Sequence, residues 1–119
     1  MNFTFHQINH IKVAELISDA VVIKTADDAV DLIGNLYYED LSKVIVHEKN
    51  LISDFFDLKN KIAGEVLQKF SNYRMQIIII GDFSKFTSKS MIDFIYESNK
   101  GRQVNFVKTL EEALSLLTK

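Results

Sequence analysis

Apolar and polar positions alternate at the start of the chain. Within residues 2–17 apolar side chains recur at every second position, and polar Asn9 and His10 separate the two halves. This pattern is typical of an antiparallel hairpin. The continuous apolar runs at 44–46 and 75–80 are typical of buried strands, and 104–107 predicts one more. The sequence therefore predicts five strands.

Four other segments carry apolar residues three or four positions apart, which predicts amphipathic helices that pack on a sheet. Thr25 and Asp28 have the spacing of a capping box at the start of the first helix, and Thr109 and Glu112 have it at the start of the last. The two remaining helices are predicted to begin within residues 54–57 and 88–90.

These elements follow one another in the order β-β-α-β-α-β-α-β-α. Strands that alternate with helices form parallel sheets, whereas the initial hairpin is antiparallel. The sequence predicts an α/β fold with a single mixed, mostly parallel five-stranded sheet and four helices. With 119 residues, no proline and no repeat, the chain is expected to form one domain over residues 1–119.

Composition and charge exclude several classes of function. A formal net charge of -2 offers no broad positive field for a phosphate backbone, which argues against nucleic-acid binding. No apolar run is long enough for a membrane helix, and no basic segment followed by an apolar core begins the chain. Without cysteine there are no disulfides or thiolate ligands. We expect a cytoplasmic protein that needs no metal and no cofactor.

The first candidate site follows the buried strand at 44–46. His47, Glu48 and Asn50 form a polar cluster there, and open α/β sheets bind ligands at the carboxyl ends of their strands. His47 has two interpretations, since it could be a ligand or base, or a hydrogen-bonded structural residue. A single histidine without a second histidine or a cysteine nearby does not indicate a metal.

The second candidate site follows the strand at 75–80. Asp82, Ser84 and Lys85 lie in a loop that opens a helix, where backbone N–H groups and lysines suit an anion. The glycine spacing of a P-loop is absent. His47, Asp82 and Ser84 could also converge as catalytic groups, although three residue types alone define no triad. The alternative function is therefore a small-anion or nucleotide-binding sensor or enzyme at these strand ends.

Aromatic residues and the two hairpin histidines complete the candidates. Adjacent aromatic pairs cannot both face the core, so Tyr38 and Phe86 are predicted to remain exposed for a partner. His6 and His10 lie in the predicted hairpin and are expected at the surface.

Five strings of residues along the chain resemble a known family. They are His47-Glu48-Lys49-Asn50, Asp54-Phe55-Phe56-Asp57-Leu58, Ala63-Gly64-Glu65, Gly81-Asp82-Phe83-Ser84-Lys85 and Phe94-Ile95-Tyr96-Glu97-Ser98-Asn99. Together they are similar to a bacterial family described only as domain of unknown function 4180. The element order over residues 44–117 also resembles the STAS domain of bacterial anti-sigma-factor antagonists.

The STAS resemblance implies regulation through protein contact, switched by phosphorylation of a serine at the start of the second helix. The corresponding loop here contains Ser53, with Asp54 and Asp57 where the paired serines of that motif stand. These aspartates could imitate a phosphate's charge or could simply cap a helix. The expected function is a non-catalytic regulatory or interaction module that binds another protein or a second copy of itself.

Overall fold

The computed structural model describes all residues, 1–119, as one sheet flanked by helices. Its strands are β1 (Phe3–Ile8), β2 (Ile11–Leu16), β3 (Lys43–His47), β4 (Gln76–Ile80) and β5 (Val104–Val107). Its helices are α1 (Ala26–Tyr38), α2 (Ile62–Asn72), α3 (Lys89–Lys100) and α4 (Leu110–Leu117). None of these helices has the length and apolar character that crossing a bilayer requires.

The strands lie side by side in chain order, β1-β2-β3-β4-β5. β1 pairs with β2 antiparallel, and every other pair is parallel. Asn9 and His10 turn the hairpin with φ angles of 51° and 69°, which is the conformation of a type I′ turn. The predicted fold class, a mixed five-stranded sheet with four helices, is confirmed.

The order of the strands determines which face each helix covers. From β2 onward each connection moves one strand in the same direction, and right-handed crossovers then place their helices on one face. Accordingly α1, α2 and α3 share the larger core cluster through side chains such as Leu32, Val66 and Phe94. Helix α4 packs on the opposite face, mainly against β4 and β5, so β1 and β2 have less helical cover there.

The start of the second helix differs from the prediction. Helix α2 begins at Ile62, whereas residues 53–60 form two 3-10 turns, Ser53–Phe56 and Leu58–Asn60. Asp57 accepts a hydrogen bond from the backbone N–H of Lys59, which caps the second turn rather than a helix. Lys61 then adopts a left-handed conformation with φ of 68°, so the helix starts after it.

Candidate functional site

A carboxylate shared by two histidines joins the first three strands. Glu15 lies on β2 and points to the face that carries α4, in the alternation that also places Val13 there. Its Oε1 lies 2.8 Å from Nε2 of His6 on β1, and its Oε2 lies 2.8 Å from Nε2 of His47 on β3. Because an ionised carboxylate only accepts hydrogen bonds, both imidazoles carry hydrogen on Nε2.

The electrostatics of this cluster keep Glu15 ionised. Burial works to raise the pKa of its carboxyl, since only 8% of the residue is exposed. Hydrogen bonds from His6 and His47, with the positive charge of the two rings, outweigh burial and bring the pKa of Glu15 below its ordinary value. The acid is therefore a stable hydrogen-bond acceptor that fixes the orientation of both rings.

His6 is the hairpin residue whose environment was predicted wrongly. Only 21% of its side chain is exposed, because its ring lies against Glu15, whereas His10 in the turn is exposed as expected. A sequence signal for this cluster exists in β2. Glu15 points to the same face of β2 as Ile11 and Val13, which lie four and two positions before it. An acid on a face that is largely covered requires a hydrogen-bonding partner, because burying an unpaired carboxylate is unfavourable.

Asn50 holds the loop after β3 in place. Its side chain is fully buried, and its Oδ1 accepts the backbone N–H of His47 at 3.1 Å. Its Nδ2 donates to the carbonyls of Ser18 and Ala20 at 2.9 and 3.0 Å. Through these three hydrogen bonds, the Asn50 side chain connects the loop after β3 to the loop after β2.

Glu48 connects the loop after β3 to the loop after β4. Its carboxylate forms an ion pair with Lys85, and its Oε1 accepts the backbone N–H of Asp82 at 3.3 Å. The loops approach closely because residue 81 is glycine. A Cβ at Gly81 would lie 2.7 Å from Cβ of Glu48, nearer than real Cβ atoms approach.

Asp82 and Ser84 bind each other rather than His47. Oγ of Ser84 donates to Oδ1 of Asp82 at 2.6 Å, and the backbone N–H of Ser84 donates to the same oxygen at 3.1 Å. These bonds from Ser84 hold the pKa of the Asp82 carboxyl below its ordinary value. The ring of His47 is instead bonded to Glu15, and no hydrogen bond joins His47 to Asp82 or Ser84, as the catalytic hypothesis required.

A cleft of about 540 Å³ opens beside the Glu48–Lys85 pair. The ring of Phe86 stacks on Phe56 in this cleft, with ring centres 4.8 Å apart. The cleft is lined by apolar Val21, Leu51, Ile52, Phe56 and Phe86 and by polar Glu48, Lys49, Ser53 and Lys85. It therefore combines an apolar surface with a charged rim. The sequence did not indicate Val21, Leu51 or Ile52 as parts of it.

The four residues predicted as partner contacts lie in different environments. Tyr38, at the end of α1, is 95% exposed, whereas Phe86 is half-buried in the aromatic stack. Asp57 caps a 3-10 turn, and the carbonyl of Asp54 accepts a hydrogen bond from the Asn60 side chain. Of these four residues, only Phe86 lines the cleft.

Fold and site together define a small α/β domain with an amphipathic cleft between two strand-end loops. No group of three or more histidine or acidic side chains has the geometry to hold a metal ion. Residues 8–117 match the family described as domain of unknown function (DUF4180), and the chain belongs to that family. No curated protein sequence matches the chain significantly.

Proposed function

We propose that this chain is a non-catalytic regulatory module that binds a partner protein in the cleft between the loops after β3 and β4. The observation that carries the proposal is the amphipathic lining of this cleft, in which Phe56 and Phe86 adjoin Lys49 and Lys85. Protein-binding surfaces combine an apolar centre with a polar rim in this way. The STAS-like order of elements supports the same function by resemblance alone.

The charges around the cleft favour an acidic partner segment. Glu48 is largely covered, and Lys85 together with the N–H of Asp82 already compensates its charge. Lys49 pairs at 2.9 Å with Asp19, whose side chain is fully exposed. Exposed ion pairs contribute little stability, so a partner's carboxylate can replace Asp19. The expected segment places an apolar or aromatic side chain in the cleft and an acidic residue beside Lys49.

Site-specific photo-crosslinking tests this proposal. Ser53 lines the cleft and is exposed, so a photoreactive benzoylphenylalanine at that position can reach a bound segment. Ser115, exposed on α4, is the matched control position. We expect one defined partner to be crosslinked from position 53 in the expressing cells and not from position 115. Equal labelling from both positions, or none from position 53, would contradict the proposal.

Charge reversal at the rim tests the chemistry of the segment. Lys49→Glu removes the expected partner of the acidic residue, and Lys24→Glu makes the same charge change at an exposed position outside the cleft. We expect Lys49→Glu to weaken binding of the crosslinked segment at least about tenfold, in the range of one charged hydrogen bond. If the two variants bound the segment with equal affinity, Lys49 would not contribute to binding.

A second candidate function is a small-anion or nucleotide sensor at the same strand ends. It is favoured by the size of the cleft, about 540 Å³, which lies within the range of small-molecule sites. Inorganic phosphate and a panel of nucleotides would then raise the melting temperature of the wild-type protein and not that of Lys49→Glu. If none of them changes the wild-type melting temperature, this candidate is rejected.

A further inference from the structure

The outer edge of β1 presents free backbone hydrogen-bonding groups. In the type I′ hairpin Ile8 and Ile11 close the turn as a hydrogen-bonded pair. From there, pairs of opposite residues alternate between hydrogen-bonded and non-hydrogen-bonded pairs. Even-numbered residues of β1 therefore bond to β2, in agreement with the bond from the N–H of Ile17 to the carbonyl of Asn2. The N–H and C=O groups of Phe3, Phe5 and Gln7 point away from the sheet.

The opposite edge of the sheet is closed by a side chain. Asn99 on α3 lies against β5, where its Nδ2 donates to the carbonyl of Phe106 at 3.2 Å. Its Oδ1 accepts the N–H of Phe106 at 2.8 Å. One amide thus occupies both outward groups of Phe106 in the way a neighbouring strand would, so β5 is protected from pairing.

No comparable protection is present on β1. Folded proteins usually shield an edge strand with charged residues, proline or a bulge, and β1 contains no lysine, acid or proline and pairs with β2 in an unbroken register. Its apolar side chains are also accessible, since Phe5 is 44% and Ile8 36% exposed. Such an edge is suited to the addition of another strand.

We propose that β1 pairs antiparallel with β1 of a second copy of this chain around a two-fold axis at Phe5. In this register Phe5 lies opposite Phe5 of the second copy, and Phe3 lies opposite Gln7. All outward N–H and C=O groups of these residues then form hydrogen bonds between the copies. Opposed residues point to the same side of the sheet, so the two sheets become one continuous sheet.

The composition of β1 favours a second copy over another occupant. A two-fold axis places each residue near its own equivalent, so any charge near the axis would face a like charge. Phe3, Thr4, Phe5 and Gln7 carry no charge, and the ring of His6 is turned toward Glu15. The charge nearest the axis belongs to Lys12 on β2, whose Nζ lies 4.8 Å from the centre of the Phe5 ring, and this exposed side chain is free to turn toward solvent. The β1 strands themselves therefore bring no like charges together, and their pairing covers the exposed ring of Phe5.

A charge-swap experiment tests both the interface and its register. Light scattering coupled to size exclusion should give the mass of two chains for the wild-type protein at micromolar concentration. Phe5→Glu and Phe5→Lys each place like charges opposite one another, so each variant alone should have the mass of one chain. An equimolar mixture of the two should recover the mass of two chains, because opposite charges then face each other. Circular dichroism checks that each variant is folded.

Tyr38→Glu introduces the same charge at a residue outside β1 that is 95% exposed, and it should leave the dimer intact. Lys49→Glu should also remain dimeric, because Lys49 lies outside β1. The dimer and the proposed partner binding in the cleft can therefore be tested separately. A wild-type protein with the mass of one chain up to about 100 µM would overturn the inference, since specific association falls in the micromolar range or tighter. Folded variants that remain dimeric, or a mixture that stays monomeric, would overturn it as well.

Discussion

The carboxylate of Glu15 and the imidazole of His47 form a 2.8 Å hydrogen bond between two adjacent parallel strands. His6 binds the other carboxylate oxygen, so a single acid connects β1, β2 and β3. His47 is also the last residue before the loop that forms one wall of the cleft. The cluster therefore links the edge hairpin to the proposed binding site.

Replacing Glu15 with glutamine should destabilise the protein. A neutral amide offers one oxygen acceptor, so one of the two imidazole N–H groups of His6 and His47 loses its partner. We expect the free energy of unfolding to fall by about 1–3 kcal/mol, the range for a half-buried hydrogen bond to a charged group. Urea denaturation measures this loss. Glu39→Gln, at an exposed position with no ion pair, should change the stability by less than about 0.5 kcal/mol.

The contribution of Glu15 should depend on pH in the acidic range. Because folding lowers the pKa of Glu15 from its ordinary value of 4.5, the folded state binds fewer protons than the unfolded state there. The stabilisation is complete above pH 4.5 and is lost as the pH falls through the lowered pKa. The stability difference between wild type and Glu15→Gln should shrink below that pH. If the stability difference between the two proteins grew as the pH fell, folding would not lower the pKa of Glu15.

Asn50→Ala should loosen the loop that carries Glu48. The substitution leaves the carbonyls of Ser18 and Ala20 and the N–H of His47 without their side-chain partner. We expect a loss of about 2 kcal/mol in the free energy of unfolding, because three hydrogen bonds of one fully buried amide are removed. Asn35→Ala, on the exposed face of α1, is the matched control and should be nearly neutral. Comparable losses in both variants would contradict the role assigned to Asn50.

Two glycine substitutions should have opposite effects. Gly81→Ala places a Cβ 2.7 Å from Cβ of Glu48, so it should displace Glu48 and cost about 1–3 kcal/mol. Gly34→Ala, within α1, meets no atom within 4 Å and should raise the stability by about 0.5–1 kcal/mol through helix propensity. Thermal melts of both variants provide the comparison. A neutral Gly81→Ala would mean that the two loops do not approach as described.

The elements that could be predicted are those fixed by local chemistry. Polar Asn9 and His10 between alternating apolar residues indicated the hairpin, and Thr25 with Asp28 indicated the start of α1, where both bonds of the capping box are present. The start of α2 could not be placed, because 3-10 turns and an α-helix have similar apolar spacing over a few residues. Only the left-handed Lys61 separates them.

The candidate site was predictable only in part. His47 ends β3, and Glu48 and Lys85 follow β3 and β4, which end at the same edge of the sheet. The order of elements along the chain was enough to predict this grouping. The bond between His47 and Glu15 joins residues 32 positions apart, and it depends on the register of β2 against β3. Neither the register nor the position of Lys49 beside the aromatic stack follows from periodicity, since both require the folded arrangement.

Hydrogen–deuterium exchange tests the cleft most directly. The protein would be measured alone and with the partner segment recovered by crosslinking at Ser53. Binding in the cleft should slow amide exchange in residues 48–56 and 83–87, while α4 exchanges as before. Slower exchange confined to α4 or to β1, with the two loops unchanged, would contradict the account.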